Sequence, residues 1–277
     1  MSTGEDDEQD LTRKQRRDQA RAERKALEEA EAAGVQRRKR LIQLGSVAGV
    51  VVVIIAIIIA ATSGGGGGTK LPPSKNSANV PAVKEVTALL TGIPQDGDTL
   101  GSPKAPVTLV YYGDLECPIC KDFSLGALPV LIQKYVRTGK LRIEYRNLET
   151  ATREPETFKT QQIAALAAGK QQKGWYYIEL FYHQQGEENT EYVTEKYLQT
   201  LAQQVPGLNL ASWSSARSDP QFTNTLTSDA QAANNASFTG TPSFQIGKTG
   251  GAVEKLEYSS LTDPAGFEAA IEKLLKS

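Results

Sequence analysis

Cys117 and Cys120 are the only cysteines in 277 residues, and just Pro118 and Ile119 separate them. An apolar run, Val107-Thr108-Leu109-Val110-Tyr111-Tyr112, precedes the pair, and a helical pattern follows it. A strand that hands a Cys-x-x-Cys to the start of a helix suits thiol–disulfide exchange. The first thiol would sit where unpaired helix N–H groups and the helix dipole favour negative charge. That placement raises its thiolate fraction, and the thiolate is the nucleophile. Pro118 fits the first helical turn, where a missing N–H costs no hydrogen bond. The second thiol, one turn on, can attack a mixed disulfide and release the bound partner.

Metal binding is the competing use of two such cysteines. A structural zinc site needs four ligands. There is no third cysteine, and the single histidine is His183, so one chain does not close such a site; two chains sharing an ion or cluster stay open. His183 falls within a helical pattern and reads as a packing or surface residue. Two idle cysteines would be a poor account of an adjacent pair placed between strand and helix. The redox reading calls for no metal and no cofactor, since the two sulfurs carry the chemistry.

Such sulfurs must be held in a compartment that suits them. The net charge is −1, which gives no footprint for nucleic acid. Residues 1–40 are dense in both signs and end in Arg37-Arg38-Lys39-Arg40. No charge then appears from Leu41 to Thr69, and Leu44 to Ala61 is almost wholly apolar. About 20 such residues span a bilayer as a helix, so 41–62 is expected to be a single transmembrane helix. The four basic residues on its N-terminal side place residues 1–40 in the cytoplasm and the rest outside it. A cleaved signal peptide is the alternative, but the charged leader is long and the apolar run exceeds the usual length of about 7–15 residues. Outside the cytoplasm disulfides form and persist.

The 1–40 tail has only a thin apolar stripe and reads as solvated. Gly64 to Gly68 precedes Thr69-Lys70, the wrong order for a phosphate loop, so 63–84 reads as a flexible Gly/Pro/Ser linker. A folded domain is expected over 85–277, with a short helix at Val86 to Leu90. Turns follow at Gly92 to Gly97 and Gly101 to Pro103. Residues 107–112 have the continuous apolar character of a buried parallel strand. The helix after Cys120 is expected to break around Gly126 and Pro129. It resumes with Leu128, Leu131, Ile132, Tyr135 and Val136 at helical spacing, and Gly139 caps it. Leu141 to Tyr145 alternates as the next strand, completing a βαβ unit. From about 156 to 237 four helices and no strand are expected. Strand patterns return at 242–247 and 253–258, and Phe267, Ala270, Ile271, Leu274 and Leu275 mark a closing helix.

A βαβ half carrying Cys-Pro-x-Cys, a helical insertion and a ββα half together resemble the DsbA-like branch of the thioredoxin superfamily. Gly92-Ile93-Pro94-Gln95 and Leu100-Gly101-x-Pro103-x-Ala105-Pro106-Val107 resemble the opening segments of bacterial membrane-anchored members. Tyr112-Gly113-Asp114-Leu115-Glu116-Cys117-Pro118-Ile119-Cys120 resembles their active-site segment. Glu144-Tyr145-Arg146-Asn147-Leu148 is similar to the second strand, and Gly240-Thr241-Pro242-Ser243-Phe244 to the cis-proline loop. The likeness covers about residues 90–277. It implies a thioredoxin-like α/β fold with an all-helical insertion at about 156–237. It also implies a cis bond between Thr241 and Pro242, in a loop that faces the cysteines and pairs with an extended substrate. Cys117 would be the nucleophile, Cys120 the resolving thiol, and the two would form a redox disulfide. Many relatives carry a buried acid six residues before the first cysteine; Tyr111 stands there, and Asp114 or Glu116 is the candidate for assisting proton transfer.

The resemblance implies an extracytoplasmic oxidase that exchanges its disulfide with cysteine-containing exported proteins and is recycled by a membrane redox partner. A reductase or isomerase on the same fold is the alternative, because Ile119 cannot stabilise a thiolate as a histidine would. A metal-delivery or interaction module is the alternative from another class, but it would want a nearby His or Met ligand.

Overall fold

The computed structural model describes residues 81–188 and 190–277, all within one unit, Pro72–Ser277. The expected tail, membrane span and most of the linker lie outside the described residues. Among the described residues, no helix is long and apolar enough to cross a membrane.

Helix α1, Pro81–Leu90, starts earlier than its expected Val86. Val83, Val86 and Leu90 are buried, a one-sided stripe that carries the helix back past the anticipated boundary. Strands β1 (Gln95–Asp96) and β2 (Thr99–Leu100) form a small antiparallel hairpin, where the sequence predicts turns alone. Two-residue strands are too short to show a periodicity. Strand β3 (Val107–Gly113) is buried at every residue. Helices α2 (Pro118–Leu125) and α3 (Ala127–Leu131) follow. A π-helical turn, Ile132–Val136, then leads into strand β4 (Leu141–Asn147).

Among the described residues the insertion holds five helices: α4 (Pro155–Gly169), α5 (Gly174–His183), α6 (Glu195–Gln204), α7 (Leu210–Ala216) and α8 (Gln221–Asn235). Helix α7 escapes sequence reading because a seven-residue helix with one buried side chain, Trp213, has no stripe to detect. Strands β5 (Ser243–Lys248) and β6 (Val253–Lys255) and helix α9 (Ala265–Lys276) close the chain. Strand β6 ends three residues short of the expected Tyr258. Past Leu256 the backbone leaves the ladder, and the Tyr258 hydroxyl donates to the Pro242 carbonyl at 3.0 Å.

The sheet order is β1-β2-β4-β3-β5-β6. Strand β3 runs parallel to β4 and antiparallel to β5, so the strand that ends at the cysteines is central. Its alternate residues serve two cores. Val107, Leu109 and Tyr111 join the main core, while Val110 and Tyr112 pack with Leu148, Ala233 and Phe238 behind the sheet.

The break after α2 belongs to Gly126. A Cβ there would lie 2.6 Å from both the Asp122 carbonyl oxygen and the Thr262 Cα. Pro129 instead sits in the first turn of α3, where its missing N–H is tolerated. Gly126→Ala is therefore expected to cost about 1–3 kcal/mol by overpacking, read as a lower urea midpoint at unchanged slope.

Candidate active site

Strand β3 delivers the chain to Asp114, and a turn from the Asp114 carbonyl to the Cys117 N–H (3.0 Å) sets the cysteine at the helix start. Cys117 is the N-cap of α2, in extended conformation, with Pro118 in the first turn. Its sulfur accepts from the Cys120 N–H at 3.4 Å, the bond a capping serine would make. Both cysteines are free thiols. The Cys117 thiol also donates to the Thr241 carbonyl at 3.4 Å. The Thr241–Pro242 peptide is cis. Pro118 and Ile119 are exposed beside them, Ile119 at 47%.

This geometry separates the two thiols. The hydrogen bond from Cys120 is the largest effect lowering Cys117, from 9.0 to about 7; burial opposes it, and Thr241 and the backbone N–H groups of Cys120 and Ile119 assist. Cys120 is fully buried, and burial first, then the neighbouring Cys117, pushes it well above 9.0. One sulfur is thus poised to ionise near neutral pH while its neighbour holds its proton.

Asp114 and Glu116 lie next to this pair but face elsewhere. The fully buried Asp114 carboxylate accepts from the N–H groups of Thr150, Ala151 and Thr152 at 3.0, 2.9 and 2.9 Å. It also accepts from the Glu116 N–H at 3.1 Å, the Thr152 hydroxyl at 2.6 Å and the Gln161 amide at 3.4 Å. Thr150 in turn shares a hydroxyl–hydroxyl hydrogen bond with Thr241. The carboxylate therefore ties the approach to Cys117 to the loop that braces Thr241. Glu116 is buried, which raises its carboxyl, with the Thr152 hydroxyl opposing. His183 ends α5 with Nδ1 3.4 Å from the Glu85 carboxylate, and burial lowers its pKa.

The family described as Thioredoxin matches residues 95–273. The chain belongs to that family. Among similar curated proteins is the probable disulfide bond formation protein D of Bacillus anthracis. It is 25% identical over 185 residues, covering 64% of this chain and 78% of the relative. Its counterpart from Bacillus subtilis is 30% identical over 108 residues, covering 37% and 46%. Among solved structures, oxidised BdbD from Bacillus subtilis superposes with a TM-score of 0.56 at 21% identity, over 68% of this chain and 98% of that one. DsbA2 from Pseudomonas aeruginosa does so with a TM-score of 0.52 at 24% identity, over 67% and 98%. These likenesses are of fold.

Within this thioredoxin fold the helical insertion supplies polar groups that the sequence does not flag. Glu179 and Tyr182 are one turn apart on α5, and Gln185 follows just beyond its end. The Gln185 amide donates to the carbonyls of Leu115 and Cys117 at 2.7 and 3.1 Å. The Tyr182 hydroxyl donates to the Asp114 carbonyl at 3.2 Å. Ser124, one turn beyond Cys120, donates to the Glu179 carboxyl at 2.8 Å. Glu179 is fully buried, its other oxygen has no partner among the described residues, and burial raises it from 4.5 to about 8. A lone acid inside an apolar helix, Tyr176-Tyr177-Ile178-Glu179-Leu180-Phe181, was the available signal.

Two outcomes follow from these environments. Iodoacetamide should modify Cys117 with a pH midpoint near 7 and leave Cys120 unmodified below about pH 9; mass spectrometry of the labelled peptide checks it. For Glu179, the folded state holds a proton that the unfolded state releases above 4.5, so its contribution to stability falls as pH rises from about 5 to 8. Glu179→Gln removes this loss. Its stability should gain on the parent by up to about 1.4 kcal/mol per pH unit across that window, measured by urea unfolding of both chains at each pH.

Proposed function

We propose that this thiol–disulfide oxidoreductase works as an extracytoplasmic oxidase, passing a Cys117–Cys120 disulfide to cysteine-containing exported proteins. The observation that carries the exchange chemistry is the pairing of an ionisable Cys117 with a buried, protonated Cys120 under the Thr241–Pro242 loop. A substrate thiolate attacks Cys117, the Cys117–Cys120 bond breaks, and its electron pair leaves on Cys120. A second substrate thiolate then attacks the substrate sulfur of the mixed disulfide, and Cys117 departs as a thiolate. Its lowered pKa makes it the better leaving group of the two. The enzyme is left with two thiols, and a membrane redox partner must reoxidise it.

Thr241 and Pro242 serve as the substrate-facing loop. The exposed Pro118 and Ile119 form the rim against which an extended chain lies. Asp114 acts by holding the approach to Cys117 in place, a reading supported by the six bonds that its carboxylate accepts, and Glu116 joins it through its backbone N–H. Residues 41–62 anchor the chain, with the basic 37–40 cluster cytoplasmic and the folded domain outside. The apolar run and its one-sided charge support this orientation. The names of the curated relatives, disulfide bond formation protein D, support the oxidising direction.

One observation favours a reductase as the second reading. A Cys117 pKa of about 7 matches the thioredoxin value of about 7, not the DsbA value of about 3.5. Less thiolate stabilisation makes a weaker oxidant. The reduction potential of the purified full-length protein in glutathione buffers decides between them. A value near about −180 mV is expected, below the about −120 mV of DsbA; a value near about −270 mV would make the protein a reductase.

A further inference from the structure

A cavity of about 370 Å³ opens beside the Thr241–Pro242 loop, and the exchange steps leave it unused. Gly240 and Ser243, on either side of that dipeptide, form part of its wall, together with Phe238, Leu256, Glu257 and Tyr258. Ser243 stands opposite Tyr112 in the ladder between β3 and β5. Directly opposed residues share a face of the sheet, so Ser243 looks toward the side on which Tyr112 and Phe238 pack.

Gly240 keeps the approach open. A Cβ on it would meet nothing within 4 Å, and its backbone is outside the left-handed region. Neither a neighbouring atom nor a torsion angle demands glycine there, and the space beside it is free for another chain. Successive residues of an extended chain are about 3.3 Å apart. A substrate lying along the loop therefore carries the side chain two places from its cysteine about 7 Å onward, past Thr241 and within reach of the cavity.

The lining says what that side chain should be. The Ser243 hydroxyl donates to the Gly240 carbonyl at 2.7 Å, and the Tyr258 hydroxyl to the Pro242 carbonyl at 3.0 Å. A hydroxyl has one hydrogen and two lone pairs. With both hydrogens spent on the loop itself, Ser243 and Tyr258 offer an incoming group only acceptor oxygens. The Glu257 carboxylate is a third acceptor. Lys255 lies 3.2 Å from it, but both side chains are exposed, and such a pair is weak in water. The nearly buried Phe238 and Leu256 supply an apolar floor. An aliphatic stem that ends in donors alone suits this lining, and arginine, with five donors and no acceptor, uses it most fully.

We propose that this cavity is a specificity subsite that takes an arginine of the exported substrate, two residues from the cysteine that bonds to Cys117. The stem lies over Phe238 and Leu256, and the guanidinium donates to the Ser243 and Tyr258 oxygens and to Glu257. The inference rests on the oxidoreductase reading, whose preferred substrates it names, but not on the direction of electron flow.

The test follows stopped-flow reduction of the oxidised full-length protein by cysteine peptides that differ at one place. Arginine, norleucine or glutamate stands two residues before or two residues after the cysteine. Each rate is divided by that of the same peptide with a small aromatic disulfide, which removes the effect of the neighbouring charge on the peptide's own thiol. Hydrogen bonds to a charged group predict a rate about tenfold higher for arginine than for norleucine on one flank, with glutamate slowest. Gly240→Val puts a side chain into the approach, and Glu257→Lys reverses the charge at the rim. Each should bring the ratio of arginine to norleucine within twofold of unity. The ratio compares two peptides on one protein, so a general loss of activity leaves it unchanged. Glu257→Lys, at an exposed position, covers the case in which Gly240→Val does not fold. A parent ratio within twofold of unity on both flanks, or a ratio that survives either variant, would overturn the proposal. Exchange absent from the parent with every peptide would instead overturn the oxidoreductase reading and take the subsite with it.

Discussion

A carboxylate without solvent contact must find its hydrogen bonds inside the protein, and the arrangement around Cys117 depends on how Asp114 does so. Its two oxygens take the N–H groups of Thr150, Ala151 and Thr152 from the loop after β4, and that of Glu116 from the turn before Cys117. Two segments that leave the sheet side by side are thereby held together at their ends. Backbone donors to a carboxylate are among the stronger hydrogen bonds available, and removing the acceptor would leave several buried N–H groups bare. The constraint passes outward from Thr150 to Thr241, and from the Thr241 carbonyl to the Cys117 thiol.

The same economy governs the two sulfurs. They belong to one helical turn, yet their environments differ because the helix start points Cys117 toward N–H groups and the helix body turns Cys120 into the core. The thiol at the helix start is thus the one that ionises, and the thiol turned into the core is the one kept neutral. Burial does most of the work at Cys120, and hydrogen bonding does it at Cys117.

The helical insertion is more than a cover over one end of the sheet. Through Glu179, Tyr182 and Gln185 it presents polar groups to α2 and to the turn before it. Gln185 gives the Leu115 carbonyl a donor, and Gln185 and Tyr182 add second donors to the Cys117 and Asp114 carbonyls. Glu179 satisfies less than it costs, with one oxygen lacking a partner in the core. Such a group holds its proton near neutral pH, so it adds no charge beside α2.

Local physics made much of this legible in advance. The continuous apolar run predicted β3, the Cys-Pro-Ile-Cys spacing predicted a capped helix start, and stripes at helical spacing marked α4, α5, α6, α8 and α9. Each is a property of neighbouring residues. The β1–β2 hairpin and α7 were not legible, because elements of two and seven residues carry too little pattern and are held by distant partners such as Trp175, whose N–H reaches the Asp98 carbonyl. The cis bond at Thr241 was available through family resemblance alone. The partners of Asp114, Glu179 and Tyr182 were decided by the tertiary structure. An Asp before a cysteine and a tyrosine in a helix read alike whether solvated or buried, and a Glu in an apolar helix signals burial without naming its partner. Only folding sets their partners, by bringing chain segments tens of residues apart within the reach of a hydrogen bond.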